Sequence, residues 1–204
     1  MITIIDYGSG NLNAIKNIYE RLNIPYEFAT TVAQIAKADH IILPGVGAFD
    51  ETISTLREKG FLDALNKRVL EDKVPILGIC VGMQMLSDSS EEGTLAGLGW
   101  IHGKVKKFDK KDIPGKPKIP HLGWNSIEIT QDLPLFKDID PKVGFYFVHS
   151  YYYECADEAN VMAKCTYGKV FHAAVCRDNI YGVQFHPEKS HDNGITLLKN
   201  FSML

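Results

Sequence analysis

Cys80 is the residue around which chemistry concentrates. In Gly78-Ile79-Cys80-Val81-Gly82 a glycine stands two residues to either side of it, the spacing of a nucleophile elbow with sulfur in place of a hydroxyl. Ile76 to Ile79 is an apolar run of strand length, and Met83 to Leu86 opens a helical pattern. A sharp turn at that junction projects a side chain from the sheet edge, and small flanking residues let strand and helix pack closely. The sulfur would then lie over a helix N-terminus, whose unpaired N–H groups and dipole favour a thiolate. A small buried cysteine in a strand–turn–helix is the plainer alternative.

A nucleophile needs a base. Seven histidines are present, and His186 differs in context: it follows an apolar run and stands two residues before Glu188. In extended backbone, residues i and i+2 face the same way, and Pro187 biases His186 toward that conformation. A carboxylate could hold one ring nitrogen while the other faces the thiol, giving nucleophile, base and orienter in the order Cys, His, Glu. By itself His-Pro-Glu suits a surface strand end equally well; its weight comes from the elbow in the same chain. Attack on a carboxamide also needs donors for the charge that develops on oxygen. The backbone N–H groups of Val46 and Val81 are placed for this, since Gly45 and Gly47 free the chain beside Val46 and Val81 follows the nucleophile. One such donor is worth about 3 kcal/mol of transition-state stabilisation. A plain turn after a strand is the alternative for Pro44 to Gly47.

The elements that must position these residues alternate. Met1 to Ile5 reads as a buried strand, followed by a loop and a helix to about Leu22. Tyr26 to Phe28 and His40 to Leu43 read as further strands. Helical spacing follows at Ile53 and Leu56 and again at Phe61, Leu65 and Val69, with Gly60 between. This β-α-β-α order up to Cys80 predicts an α/β fold with a largely parallel sheet and helices on both faces. Sites in such sheets form at the carboxyl ends of strands, where both Cys80 and the glycine loop fall. From about Gly97 the pattern changes. Phe145 to Tyr152 is aromatic-rich, and Val161–Tyr167, Val170–Arg177 and Ile180–Phe185 read as three strands of an antiparallel meander. A last helix spans roughly Gly194 to Phe201, with Asp192 or Asn193 available as its cap. With no linker or repeat, the 204 residues read as one domain.

Composition excludes several classes. A net charge of −3 offers no attraction to nucleic acid or to an anionic membrane surface. The stretch from Lys104 to Lys118 holds seven lysines and two aspartates with a single aromatic, Phe108, so it reads as a solvated loop or ribbon. No apolar run reaches membrane-spanning length, and the N-terminus has no basic leader. The four cysteines lack C-x-x-C spacing and read as free thiols of a cytoplasmic protein. Gly8-x-Gly10 follows a strand, and Glu27 stands near a ribose acid's expected place. Asn13 occupies the third glycine position, however, so the dinucleotide fingerprint is incomplete.

Gly78-Ile79-Cys80-Val81-Gly82-Met83-Gln84, Pro44-Gly45-Val46-Gly47 and Gln184-Phe185-His186-Pro187-Glu188 together resemble the triad-type (class I) glutamine amidotransferases. Asp6 to Leu12, Pro120 to Asn125 and Val148 to Tyr151 narrow the resemblance to the glutaminase subunits of imidazole glycerol phosphate synthases. The resemblance implies the single-domain fold of that family and hydrolysis of L-glutamine, with Cys80 as nucleophile, His186 as acid and base, and Glu188 orienting the ring. It implies that Gly47, Gln84, Ser150 and Tyr151 hold the substrate, and that no metal or organic cofactor takes part. It also implies a heterodimer with a cyclase subunit, a (β/α)8 barrel, approached by Asn11, Trp124 and Lys189. A loop amide, a core indole and a solvated lysine are the structural readings of those three.

Three other functions fit parts of the sequence. The same glutaminase could feed a sugar-modifying synthetase, since Ser87–Ser90 and Ser190–Gly194 are less typical of the histidine-pathway form. A non-catalytic nucleotide-binding module would use Gly8 to Gly10 as its ligand loop. A peptidase or esterase would use the same elbow without a partner.

Overall fold

The structure is a computed structural model and describes residues 1–114 and 118–204. Its first half follows the expected alternation. Strands β1 (Ile2–Ile5), β2 (Tyr26–Ala29), β3 (His40–Gly45) and β4 (Ile76–Cys80) carry helices α1 (Leu12–Arg21), α2 (Val32–Ile35), α3 (Phe49–Glu58) and α4 (Phe61–Asn66) between them. α5 (Val81–Gln84) follows β4 directly. Every residue of β1 and β4 is buried, as strands covered by helices on both faces require. α3 buries Phe49, Thr52, Ile53 and Leu56, the i, i+3, i+4, i+7 stripe of a helix seated on a sheet. Between α3 and α4 the chain turns at Gly60, whose φ of +70° is left-handed. α2 has too few apolar residues to show a period. Thr31 starts it with a capping box to Gln34.

The second half adds β5 (Ser89–Ser90), β6 (Gly103–Lys107), β7 (His121–Asn125), β8 (Glu128–Ile129), β9 (Phe145–His149), β10 (Tyr151–Cys155), β11 (Val161–Tyr167), β12 (Lys169–Arg177) and β13 (Ile180–Val183), then α6 (His191–Phe201). The main sheet runs β2-β1-β3-β4-β13-β12-β10-β6-β5, with β11 and β8 branching from β12. It is parallel from β2 through β13, antiparallel from β13 through β12 and β10 to β6, and parallel again at the edge pair β6–β5. β7 and β9 form a separate antiparallel ribbon. The expected meander of β11, β12 and β13 is present, and its last strand runs parallel to β4.

That junction positions the site. Gly45 of β3 lies opposite Cys80 of β4, and Val183 of β13 lies opposite Ile79. The loops leaving β3, β4 and β13 therefore emerge at one edge of the sheet, with residues 46–48, Cys80 and residues 184–188 side by side. α1 and α6 are tied to each other by the Tyr19 hydroxyl, which donates to the Leu198 carbonyl at 3.2 Å.

Three local expectations are corrected. Of the loop and ribbon readings, the ribbon holds for Lys104 to Lys107, which belong to β6 paired with β10, and only the loop reading is set aside there; residues 115–117 of the lysine-rich stretch lie outside the described residues. α6 starts at His191, so Asp192 and Asn193 lie inside its first turn and neither caps it. The Asn193 amide donates instead to the Asp140 and Gly144 carbonyls, at 2.8 and 2.9 Å. α5 is a single turn starting at Val81, too short to supply a summed macrodipole; what it offers Cys80 is the local N–H groups of its first turn. No helix among the described residues is long and apolar enough to cross a membrane.

Candidate active site

Cys80 has φ +56° and ψ −111°, a conformation that non-glycine residues rarely adopt and that costs on the order of 1–3 kcal/mol. The surrounding packing imposes it. A Cβ on Gly82 would collide with the Leu43 carbonyl oxygen, and one on Gly78 would sit 2.6 Å from the Gly82 carbonyl. Backbone thus packs directly on backbone around the turn, which explains why both flanking positions are glycine. The sulfur is nearly buried and borders a pocket of about 360 Å³ shared with Val46, Gly47, Val81, Gln84, Glu92, His149, Ser150, Tyr151, His186 and Lys189.

His186 reaches the same pocket from the end of β13. It is extended, as Pro187 dictates, but Pro187–Lys189 closes as a 3₁₀ turn rather than continuing as strand. The turn brings the Glu188 carboxylate round to His186 Nδ1 at 2.8 Å, with both side chains almost fully buried. Burial alone would lower the ring's pKa; interaction with the Cys80 sulfur and with Glu188 outweighs it and raises the pKa to about 10. Nε2 is buried without a hydrogen-bond partner, and the nearby Cys80 sulfur is the largest of the influences that raise the ring's pKa. A protonated imidazole beside a cysteine is the setting in which sulfur becomes a nucleophile.

Val46, expected as an oxyanion donor, lies at the pocket rim with its N–H given to Ser9 Oγ at 3.0 Å. The Ser9 hydroxyl donates in return to the Val46 carbonyl at 2.6 Å, and the Tyr7 hydroxyl donates to the Pro44 carbonyl. The glycine-containing loop after β1 therefore braces the loop after β3. Val46 N–H can serve an oxyanion only after releasing Ser9. Val81 lies next to the sulfur at the start of α5.

Of the residues expected to hold substrate, Gly47, Gln84, Ser150 and Tyr151 all line the pocket. Gln84 is deeply buried, and its amide nitrogen is already engaged with the Tyr151 carbonyl at 3.2 Å and with Gln184 Oε1 at 2.9 Å. Two further polar residues went unassigned in the sequence. Gln184, in the same motif as His186, sends its amide nitrogen to Cys80 Sγ at 3.6 Å. Glu92 is the sole carboxylate among the pocket-lining residues. It accepts from the Phe49 N–H at 3.1 Å, and burial raises its carboxyl's pKa. Its loop is tied to α3 by Asp50, which accepts from the N–H groups of Thr94 and Leu95 at 2.8 and 3.0 Å. In the sequence Glu91-Glu92 looks like solvated loop acid, and no local spacing marks it.

The three residues expected at a partner surface share one side of the molecule. Trp124 is 44 % exposed and stacks on His191, so it is not a core indole. Lys189 is exposed at the pocket mouth, its Nζ 5.7 Å from the Tyr146 ring centre. Asn11 begins α1, which packs on the 3₁₀ turn carrying Lys189. Away from the pocket the chemistry fades. All four thiols are free, and burial raises the pKa of Cys165 and of Cys176 to about 12.

Fold and side chains together describe an α/β protein with a cysteine elbow facing a histidine–glutamate pair at the carboxyl edge of its parallel strands. The chain belongs to the family described as Glutamine amidotransferase class-I, which it matches over residues 3–203. Over essentially its whole length it is similar to proteins named imidazole glycerol phosphate synthase subunit HisH. It is 52 % identical to that of Bdellovibrio bacteriovorus over 204 residues, covering 99 % of each chain. It is 48 % identical to that of Leptospira interrogans, with both chains fully covered. Among solved structures, PurLQS from Thermotoga maritima superposes with a TM-score of 0.75 at 17 % identity, covering 99 % of this chain and 97 % of that one. A crystal structure of a glutamine amidotransferase superposes at 0.71 and 19 %, covering 98 % of each, so the fold persists where little sequence does.

Proposed function

We propose that this chain, as one glutaminase domain, hydrolyses L-glutamine and passes the ammonia to a synthase subunit that makes imidazole glycerol phosphate and the aminoimidazole carboxamide ribotide (AICAR) of histidine biosynthesis. Cys80 attacks the side-chain amide; His186 protonates the departing ammonia and then activates water to hydrolyse the glutamyl thioester; Glu188 holds the ring. Val81 N–H stabilises the oxyanion, joined by Val46 N–H once Ser9 lets go. Gly47, Ser150 and Tyr151 line the substrate's place, and Glu92 faces its α-ammonium group. The observation that carries this reading is the nucleophile at positive φ sharing a pocket with a histidine whose far nitrogen is 2.8 Å from a buried carboxylate.

Ammonia released into water at neutral pH becomes mostly ammonium, which is not a nucleophile, so the product must be handed on directly. The relatives named as synthase subunits support a partner, and the (β/α)8 barrel is our reading of its fold. Asn11, Trp124 and Lys189 are its contacts on this chain. The free thiols fit the reducing cytoplasm in which such a pathway would run.

The test is ammonia release from glutamine by the chain alone and with a barrel cyclase. Stimulation by the cyclase, absent in Cys80→Ala, is the expected result. Stimulation by a sugar-modifying synthetase instead would reassign the acceptor, and undiminished release by Cys80→Ala would end the reading.

A further inference from the structure

Resting on the reading of Cys80 as nucleophile, we propose that Gln184 is a positioning residue for the sulfur, and that a buried hydrogen-bond chain running through Gln84 and the Tyr151 carbonyl sets which way its amide points. Gln184 is fully buried and Gln84 nearly so, so each amide must find its partners inside the protein.

The polarity of the chain follows from its one unambiguous member. The Tyr151 carbonyl can only accept, so both groups beside it donate: His149 Nδ1 at 2.7 Å and Gln84 Nε2 at 3.2 Å. The nitrogen of Gln84 therefore also faces Gln184 at 2.9 Å, and the Gln184 atom there must be its oxygen. The Gln184 NH₂ is left pointing at Cys80 Sγ, 3.6 Å away. A reversed Gln184 would set nitrogen against nitrogen at Gln84 and an oxygen lone pair against the sulfur. An N–H donor aimed at sulfur favours its anionic, nucleophilic form and discourages rotation away from the pocket.

The far side of the carbonyl is equally constrained. With Nδ1 of His149 donating, its Nε2 accepts from His121 Nδ1 at 2.9 Å. His121 Nε2 then accepts from the Asn125 amide nitrogen at 3.2 Å, a nitrogen that also donates to the Thr166 carbonyl at 2.9 Å. Each ring carries one proton, at Nδ1, because a second on either would set N–H against N–H. Burial depresses both pKa values in agreement, His149 to about 3 and His121 to about 4. The Tyr151 carbonyl is thus pinned by neutral groups on one side and free to orient the two glutamines on the other.

The experiment measures the rate at which iodoacetamide alkylates Cys80 in the intact chain, by peptide mass, from pH 6 to pH 10. Wild type is compared with Gln184→Met, Gln184→Glu, Gln84→Met and the double Met variant. Gln184→Met should slow alkylation about tenfold at pH 7 and converge on wild type at pH 10, where bulk base does what the charge-assisted donor does at neutral pH. Gln184→Glu keeps an acceptor for Gln84 but removes the donor, and slows the reaction at least as much. Gln84→Met should slow it about threefold alone and have no further effect beside Gln184→Met, the signature of one pathway. Wild-type rates at pH 7 in both Gln184 variants, or slowing by the same factor at every pH, would overturn the proposal. If one Gln184 variant fails to fold, the other together with Gln84→Met decides. Failure of wild-type Cys80 to react above the rate of the other thiols would strike the nucleophile reading instead, which keeps the two failures separate.

Discussion

Two buried histidine environments meet at one pocket and are driven in opposite directions. At the end of β13, burial opposes the charge on His186, but the Glu188 carboxylate at 2.8 Å and the Cys80 sulfur reverse the balance and raise the ring to about 10. On the β7–β9 ribbon, His149 and His121 meet each other, a carbonyl and a neutral amide, and burial takes them down to about 3 and about 4. Burial is common to both regions, so the sign is decided by whether an anion accompanies the ring. One region holds a proton on its ring beside two partners that favour the charge; the other keeps its protons in fixed places between neutral groups.

The comparison breaks most sharply at the anions. Cys80→Ala should lower ammonia release from glutamine by ~10⁴-fold or more with an unchanged circular dichroism spectrum. It should also move the His186 imidazole titration, followed by NMR, downward from its wild-type position. Glu188→Gln keeps the shape but offers an amide to Nδ1, and should reduce kcat by ~10³- to 10⁴-fold. A loss below tenfold would show that the carboxylate does not orient the base.

Stability against pH should separate the same two regions. The folded pKa of His186 lies above its unfolded value of about 6.5, so its contribution is complete below that value and is lost as pH rises toward about 10. For His149 and His121 the folded values lie below the unfolded ones. Their contribution is complete above pH ~6.5 and is lost as pH falls toward about 4 and then about 3. Each histidine that must stay neutral steepens the acid limb by ~1.4 kcal/mol per pH unit. Urea titrations from pH 7 to 4 should therefore show a shallower acid slope in His121→Gln than in wild type, and an equal slope would count against the neutral pair. The smallest effect belongs to the substrate side. Glu92→Gln should raise KM for glutamine about tenfold, or ~1.4 kcal/mol, with kcat nearly unchanged, whereas a loss confined to kcat would make Glu92 part of the reacting centre.

Much of this could be read from residues before the fold was known. The Gly-x-Cys-x-Gly spacing pointed to a backbone turn, and Cys80 has the positive φ that such a turn demands. The apolar periods located α1, α3 and α4, the strands flanking them and the three-stranded meander. α2 escaped because four residues carry no period, and the helix expected from Met83 proved to be one turn beginning at Val81. The Val46 N–H looked available in the sequence because nothing local shows that Ser9, 37 residues earlier, accepts from it.

The sequence by itself determined the local chemistry: a cysteine at a turn only glycine neighbours permit, a histidine two residues before a carboxylate, and the order of strands and helices. These are legible because each depends on backbone geometry over a few residues. Only the tertiary structure decided that β13 inserts beside β4 in the register that brings His186 to Cys80, that Gln184 turns its nitrogen toward the sulfur, and that Glu92 enters the pocket. Those outcomes depend on hydrogen bonds and packing between residues up to 104 positions apart, which no short-range pattern encodes.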